Sequence, residues 1–137
     1  MYDIAIIGSG PGGYVAAIRA SQLGAKVALI EKGFIGGVCL NKGCIPTKTI
    51  IASANKYKEI KKLNKFGISV ENPLFDYEKI FDRKELIVSQ IRKNLTKLIK
   101  SKDIDIIEGT ASIADKNTLK VISESGNEIV EFKNLII

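Results

Sequence analysis

With 137 residues, 45% of them apolar and 26% charged, the chain is sized for one domain with one modest core and is too apolar to be disordered. It has no His and only two Cys, which argues against a His/Cys zinc site and excludes a Ser-His-Asp triad within the chain. No apolar run reaches the length of a membrane span. The N-terminus lacks the basic and small-residue features of a secretory signal, so a cytoplasmic setting is expected.

The net charge of +6 is unevenly spread. Residues 1–52 carry five basic and two acidic side chains, residues 53–103 thirteen and seven, and residues 104–137 three and six. A basic middle raises the question of nucleic acid. Lys outnumbers Arg 18 to 3, whereas bidentate recognition of bases and phosphates recruits Arg, so the basic stretch reads as a solvated helix face.

In chain order, Tyr2-Asp3-Ile4-Ala5-Ile6-Ile7 is an almost unbroken apolar, β-branched run that predicts a buried parallel strand. A Gly8-Ser9-Gly10-Pro11-Gly12-Gly13 turn leads into a helical pattern over Tyr14 to Leu23, stopped by Gly24. A second buried strand, Lys26 to Ile30, ends at Glu31. Strand, turn, helix and strand within about 30 residues make a βαβ unit. In that context the G-x-G-x-x-G spacing gains meaning. Gly8 permits the tight turn, Gly10 lets a pyrophosphate approach the backbone, and Gly13 lets the helix pack on the strand. The helix start offers free N–H groups and a positive dipole end. Glu31, 23 residues after Gly8, stands where an acidic residue accepts ribose hydroxyls, and its charge would repel a 2′-phosphate.

The segment that follows is Gly36-Gly37-Val38-Cys39-Leu40-Asn41-Lys42-Gly43-Cys44-Ile45-Pro46-Thr47-Lys48. On an ideal helix, two Cys five apart would have Cα atoms roughly 8.5 Å apart, beyond the limit of about 6.8 Å for a disulfide. Either the pair is unbridged or the helix start is distorted, which Gly43 would make cheap. A bridge closing so small a loop adds little stability, so a redox role explains the pair better than a structural one. Two unrelated buried thiols are the bland alternative.

This run resembles, at every position, the signature of the pyridine nucleotide–disulfide (flavin disulfide) oxidoreductases, and most closely that of the dihydrolipoamide dehydrogenases. Leu40 favours that branch over glutathione- or mercuric-reductase-like relatives, which usually carry Val there; a non-catalytic flavin-binding module is the alternative outside the family's chemistry. The resemblance implies an α/β Rossmann-like FAD-binding domain with a parallel sheet, a helical pair and an inserted β-meander. It implies that Cys39 is the interchange thiol and Cys44 the thiol lying against the flavin, a helix N-terminus lowering a thiol pKa. Lys48 would contact the flavin N5 edge, and Thr47 keeps the hydroxyl of the commoner Ser. The implied FAD-binding set is Gly8, Gly10, Pro11, Gly12, Gly13, Glu31, Lys32, Gly37, Val38, Cys39, Lys48, Gly109 and Ala111, the last two through backbone near the adenine.

The resemblance further implies that residues 1–137 are an incomplete N-terminal FAD-binding domain, with the NAD-binding and C-terminal interface domains outside it. The parent would be a homodimeric, NAD-dependent dehydrogenase. It would serve dihydrolipoamide or the lipoyl domain of a 2-oxoacid dehydrogenase or glycine cleavage complex, with no metal, nucleic acid or membrane involved. The chain by itself is expected to be inactive, to hold flavin weakly and to associate through an unpaired strand edge near Leu135 to Ile137.

The remaining elements follow from pattern. A helix is predicted from after Lys48 to about Leu63, with Ile50, Ile51, Ala54, Tyr57 and Ile60 on one face. A second is predicted over about Tyr77 to Lys102, with Ile80, Ile87, Ile91, Leu95 and Leu98 aligned. The two are expected to pack antiparallel, a coiled coil being the alternative. Short strands are predicted near Ile104–Ile107, Ala111–Ile113, Leu119–Ile122 and Ile129–Phe132, and the resemblance implies a last strand at Asn134–Ile137.

Overall fold

A computed structural model describes residues 1–137. The parallel core comprises β1 (Tyr2–Ile7), β2 (Val27–Glu31), β3 (Asp105–Glu108) and the end of β6 (Gly126–Ile136), and β4 (Thr110–Asp115) and β5 (Thr118–Ser123) complete a six-stranded sheet. The strand order is β3-β2-β1-β6-β5-β4. β1 pairs in parallel with β2 and β6, and β2 with β3, while β4, β5 and the start of β6 run antiparallel. α1 (Pro11–Gln22) makes the crossover from β1 to β2, and such a crossover lets neighbouring strands run parallel.

β1 and β2 are apolar without alternation because both faces are covered. On one face Ile6, Val27 and Leu29 pack with Ala17 and Ala20 of α1 and with Ile99 of α4 (Tyr77–Lys100). On the other, Ala5, Ala28 and Ile30 pack with Leu119, Val121, Val130 and Phe132 of the meander. Ile6, Leu29 and Ile30 are fully buried, each contributing roughly 1.5–3 kcal/mol by burial. Asp3 ties three strands at the base of the sheet. Its carboxylate accepts from the Lys26 N–H before β2 and pairs with the Lys133 ammonium of β6 at 2.7 Å. Tyr2 donates to the Asp105 carboxylate of β3 at 2.9 Å, and burial together with that bond pushes the phenol up to about 12.

Several expectations need correction. The strands predicted at Ile129–Phe132 and Asn134–Ile137 are one, β6, whose 11 residues let it leave the meander and enter the parallel core. Leu135 and Ile136 pair with Ala5 and Ile6 on one side; on the other the pairing with β5 ends at Glu131, so that side of the strand end is unpaired, as expected. The helix from the cysteine segment, α3 (Cys44–Ile60), ends before Leu63, where a 3-10 turn (Leu63–Phe66) closes on Gly67 at φ +74. α4 stops at Lys100, and its buried positions are Lys84, Val88 and Ile99. Ile91 and Leu98, predicted inside, are exposed, as is Ile51 of α3. The reason is that α4 serves two partners, α3 near its start and the sheet near its end, so no single stripe of apolar residues is buried throughout. The two helices do pack antiparallel. Arg83 reaches the Thr49 carbonyl at 3.5 Å, while Tyr57 donates to the Pro73 carbonyl and meets Phe75 edge-on. No helix is long and apolar enough to cross a membrane.

Candidate functional site

The glycine turn leaves the carboxyl end of β1 and enters α1. Gly8 sits at φ +96, and its N–H bonds the Ile30 carbonyl of β2 at 2.8 Å, so the turn is anchored on the neighbouring strand. A Cβ on Gly13 would stand 1.8 Å from the Gly8 carbonyl oxygen. That contact is what brings the first turn of α1 onto the strand end. Around Gly10 and Gly12 a Cβ would meet nothing within 4 Å. Gly10 is the N-cap of α1, no side chain caps the helix, and Pro11 follows at its start. The first N–H groups are therefore not capped by any side chain, the condition for an anionic ligand to bind them.

Glu31 ends β2 beside this turn. Its carboxylate accepts from the Ser9 N–H at 2.8 Å, from the Ser9 hydroxyl at 2.6 Å and from the Gly33 N–H at 2.9 Å. Burial works against the charge, but the bonds from Ser9 and Gly33 outweigh it and hold the carboxyl below the usual Glu range. Gly109, at φ +150, bonds the Glu31 carbonyl through its N–H, and a Cβ there would collide with Val121 and the Ile122 carbonyl. Only glycine fits where the chain passes from β3 into the meander. Ala111 lies further along, paired with Val121. Lys32 is exposed.

The cysteines lie on two helices. Cys39 is in the short α2 (Gly37–Asn41), and Cys44 is the first residue of α3. Gly43 breaks the helix at φ −123, ψ −105, the distortion offered as one of the two alternatives for the five-residue spacing. Both thiols are free, Cys39 half-buried and Cys44 exposed. The Cys44 sulfur beside it, with some burial, pushes the Cys39 thiol above its ordinary value, against the opposing charge of Lys48. Val38 and Lys48 are exposed beside the pair.

The two motifs touch. A Cβ on Gly37, at φ +61, would lie 2.8 Å from the Gly10 Cα, and the Gly36 N–H bonds both the Ser9 carbonyl and its hydroxyl. Two contributors went unread in the sequence. Ser9 is fully buried and links Glu31 to Gly36. Asn41 donates to the Ile35 and Gly37 carbonyls at 3.0 and 2.9 Å, holding the turn before α2, while its buried Oδ1 has no partner. A polar residue inside each motif was the only available signal. A groove of about 950 Å³ between α3 and α4, lined by Tyr57, Leu74, Phe75 and Ile80 among others, includes none of these residues.

A βαβ nucleotide turn set against a two-thiol helix break defines a Rossmann-like redox domain. The chain belongs to the pyridine nucleotide-disulphide oxidoreductase family, whose pattern matches residues 2–137. It is 42% identical to the dihydrolipoyl dehydrogenase of Geobacillus stearothermophilus over 96% of its own length and 28% of that protein's. It is 46% identical to the dihydrolipoyl dehydrogenase of Acholeplasma laidlawii over 99% of its own length and 40% of that protein's. The chain therefore spans well under half of these relatives. Among solved structures, the Cu(II) complex of the HOCl-induced flavoprotein disulfide reductase RclA from Escherichia coli superposes with a TM-score of 0.82 at 29% identity, covering 99% of this chain and 28% of that one.

Proposed function

We propose that residues 1–137 form the FAD-binding, disulfide-carrying part of a dihydrolipoamide dehydrogenase. The observation that carries this reading is the Gly10–Gly37 approach, which sets a pyrophosphate-type turn directly against the helix bearing Cys39. The residues present suit the cofactor. Gly8 to Gly13 would take the pyrophosphate at the uncapped start of α1, and Glu31 the adenosine ribose. Lys32, Gly37, Val38, Cys39 and Lys48 would border the rest, with the Gly109 and Ala111 backbone near the adenine. FAD, when bound, supplies a two-electron acceptor next to the thiols.

The chain's own residues do the exchange chemistry. With Cys39 and Cys44 joined as a disulfide, one thiolate of dihydrolipoamide attacks the Cys39 sulfur, and Cys44 leaves as the thiolate. The second substrate thiol, once deprotonated, then displaces Cys39, giving the cyclic lipoamide disulfide and a reduced protein pair. Lys48 places a positive charge beside the sulfurs, which favours the thiolate form. NAD⁺ as final acceptor, a homodimer and a lipoyl-domain partner belong to the same proposal for the whole protein.

The test is a titration of the chain with FAD and with NAD⁺, for wild type and Glu31→Ala. FAD binds in preference to NAD⁺, and Glu31→Ala weakens it. Unchanged FAD affinity in the variant, or preference for NAD⁺, contradicts the assignment.

A further inference from the structure

Ser9 occupies the variable position between the first two glycines of the turn, and its side chain is fully buried. Its N–H and its hydroxyl both donate to one carboxylate oxygen of Glu31, and its hydroxyl oxygen and carbonyl both face the Gly36 N–H. The Gly33 N–H takes one position on the other carboxylate oxygen. A carboxylate offers about four lone-pair positions. Three are filled by the chain itself, and the one left is on the oxygen facing away from Ser9.

We propose that Ser9 is a positioning residue for nucleotide binding: its hydroxyl locks the Glu31 carboxylate in one orientation, leaving a single acceptor position for a ribose hydroxyl. The inference deepens the assignment of Glu31 to the FAD ribose and rests on it. Orientation fixed before binding removes an ordering cost that a free glutamate side chain would otherwise carry. The same hydroxyl meets Gly36, the residue that caps the Cys39 helix. The nucleotide end of the site and the thiol end thus share one side chain.

The charged groups around Glu31 are Lys32 in the same turn, Glu108 at the in-register position of β3, and Arg92 and Lys100 of α4 beside Gly33. None of them is altered by a substitution at Ser9. FAD affinity of the chain is measured against pH for wild type, Ser9→Ala, Ser9→Thr and Glu31→Gln. The Glu31 carboxyl carbon is titrated by NMR in the first three without ligand. Ser9→Ala loses roughly tenfold in FAD affinity near neutral pH, the worth of one hydrogen bond to a charged acceptor. In that variant the Glu31 carboxyl titrates at higher pH and FAD affinity fails at a correspondingly higher pH. Ser9→Thr keeps the hydroxyl and the wild-type pH profile, even if its extra methyl lowers affinity uniformly. A wild-type affinity and profile in Ser9→Ala, or equal weakening of Ser9→Ala and Ser9→Thr with no change of profile, overturns the inference. If Glu31→Gln binds FAD as wild type does, the ribose assignment itself falls. If Glu31→Gln weakens binding and Ser9→Ala does not, only the role of Ser9 falls.

Discussion

Gly37 and Gly10 approach so closely that a Cβ on the first would lie 2.8 Å from the Cα of the second. This contact joins the nucleotide turn to the thiol-bearing helix, and the two glycines have different tolerances. Gly37 is also at φ +61, where an L side chain is strained. Gly37→Ala is therefore expected to cost roughly 2–4 kcal/mol of stability and to weaken FAD binding. Gly10 has ordinary backbone angles and open space at its Cβ position. Gly10→Ala should melt like wild type yet lose FAD affinity by roughly tenfold or more, because the methyl would occupy the ligand's place. Thermal melts and FAD titrations of both variants check the contrast, and a destabilised Gly10→Ala with normal FAD affinity would contradict it.

The thiol pair has a predicted pH signature. The Cys44 sulfur, foremost, and partial burial hold the Cys39 thiol above its ordinary value. Only the thiolate reacts with alkylating agents. Iodoacetamide labelling of Cys39 in the reduced chain should therefore rise at a higher pH than in an unstructured control peptide. Cys44→Ala should move that rise to lower pH, because the first cause is removed while Lys48 remains. Site-resolved mass spectrometry reads both. An unmoved profile in Cys44→Ala would show that the sulfurs do not interact.

Asp3 makes an acid-sensitive clamp. Its bonds with Lys133, first in weight, and the Lys26 N–H hold its carboxyl below the ordinary Asp value. A folded-state value below the unfolded one contributes stability that is present above the unfolded range, near about pH 4, and is lost as pH falls through the folded value. The stability gap between wild type and Asp3→Asn should be open at neutral pH and close as the solution is made strongly acidic. Urea midpoints across that range test it; a gap independent of pH would remove the clamp from the account.

Much of this architecture was legible because local pattern and tertiary role agree. Tyr2–Ile7, the glycine turn and the second strand ending at Glu31 each carry one instruction, and the structure follows them. Gly43 was legible for the same reason, since five-residue Cys spacing on an intact helix is geometrically awkward. What stayed hidden depends on partners distant in sequence. The burial of Lys84 and Val88 in place of Ile91 and Leu98 follows from where α4 meets α3 and the sheet. The fusion of two strands into β6 depends on β1 pairing with residues about 130 positions away. Ser9 was hidden because its importance lies in Glu31 and Gly36, not in its own residue type.

Under the proposed function, Cys39 and Cys44 are a redox pair exchangeable with a dithiol. The most direct measurement is alkylation of the purified chain in air, before and after dihydrolipoamide, with thiols counted by mass spectrometry. A Cys39–Cys44 bridge is expected to resist alkylation before treatment, with two alkylated cysteines after it. Full alkylation of both thiols in air without any reductant would contradict it.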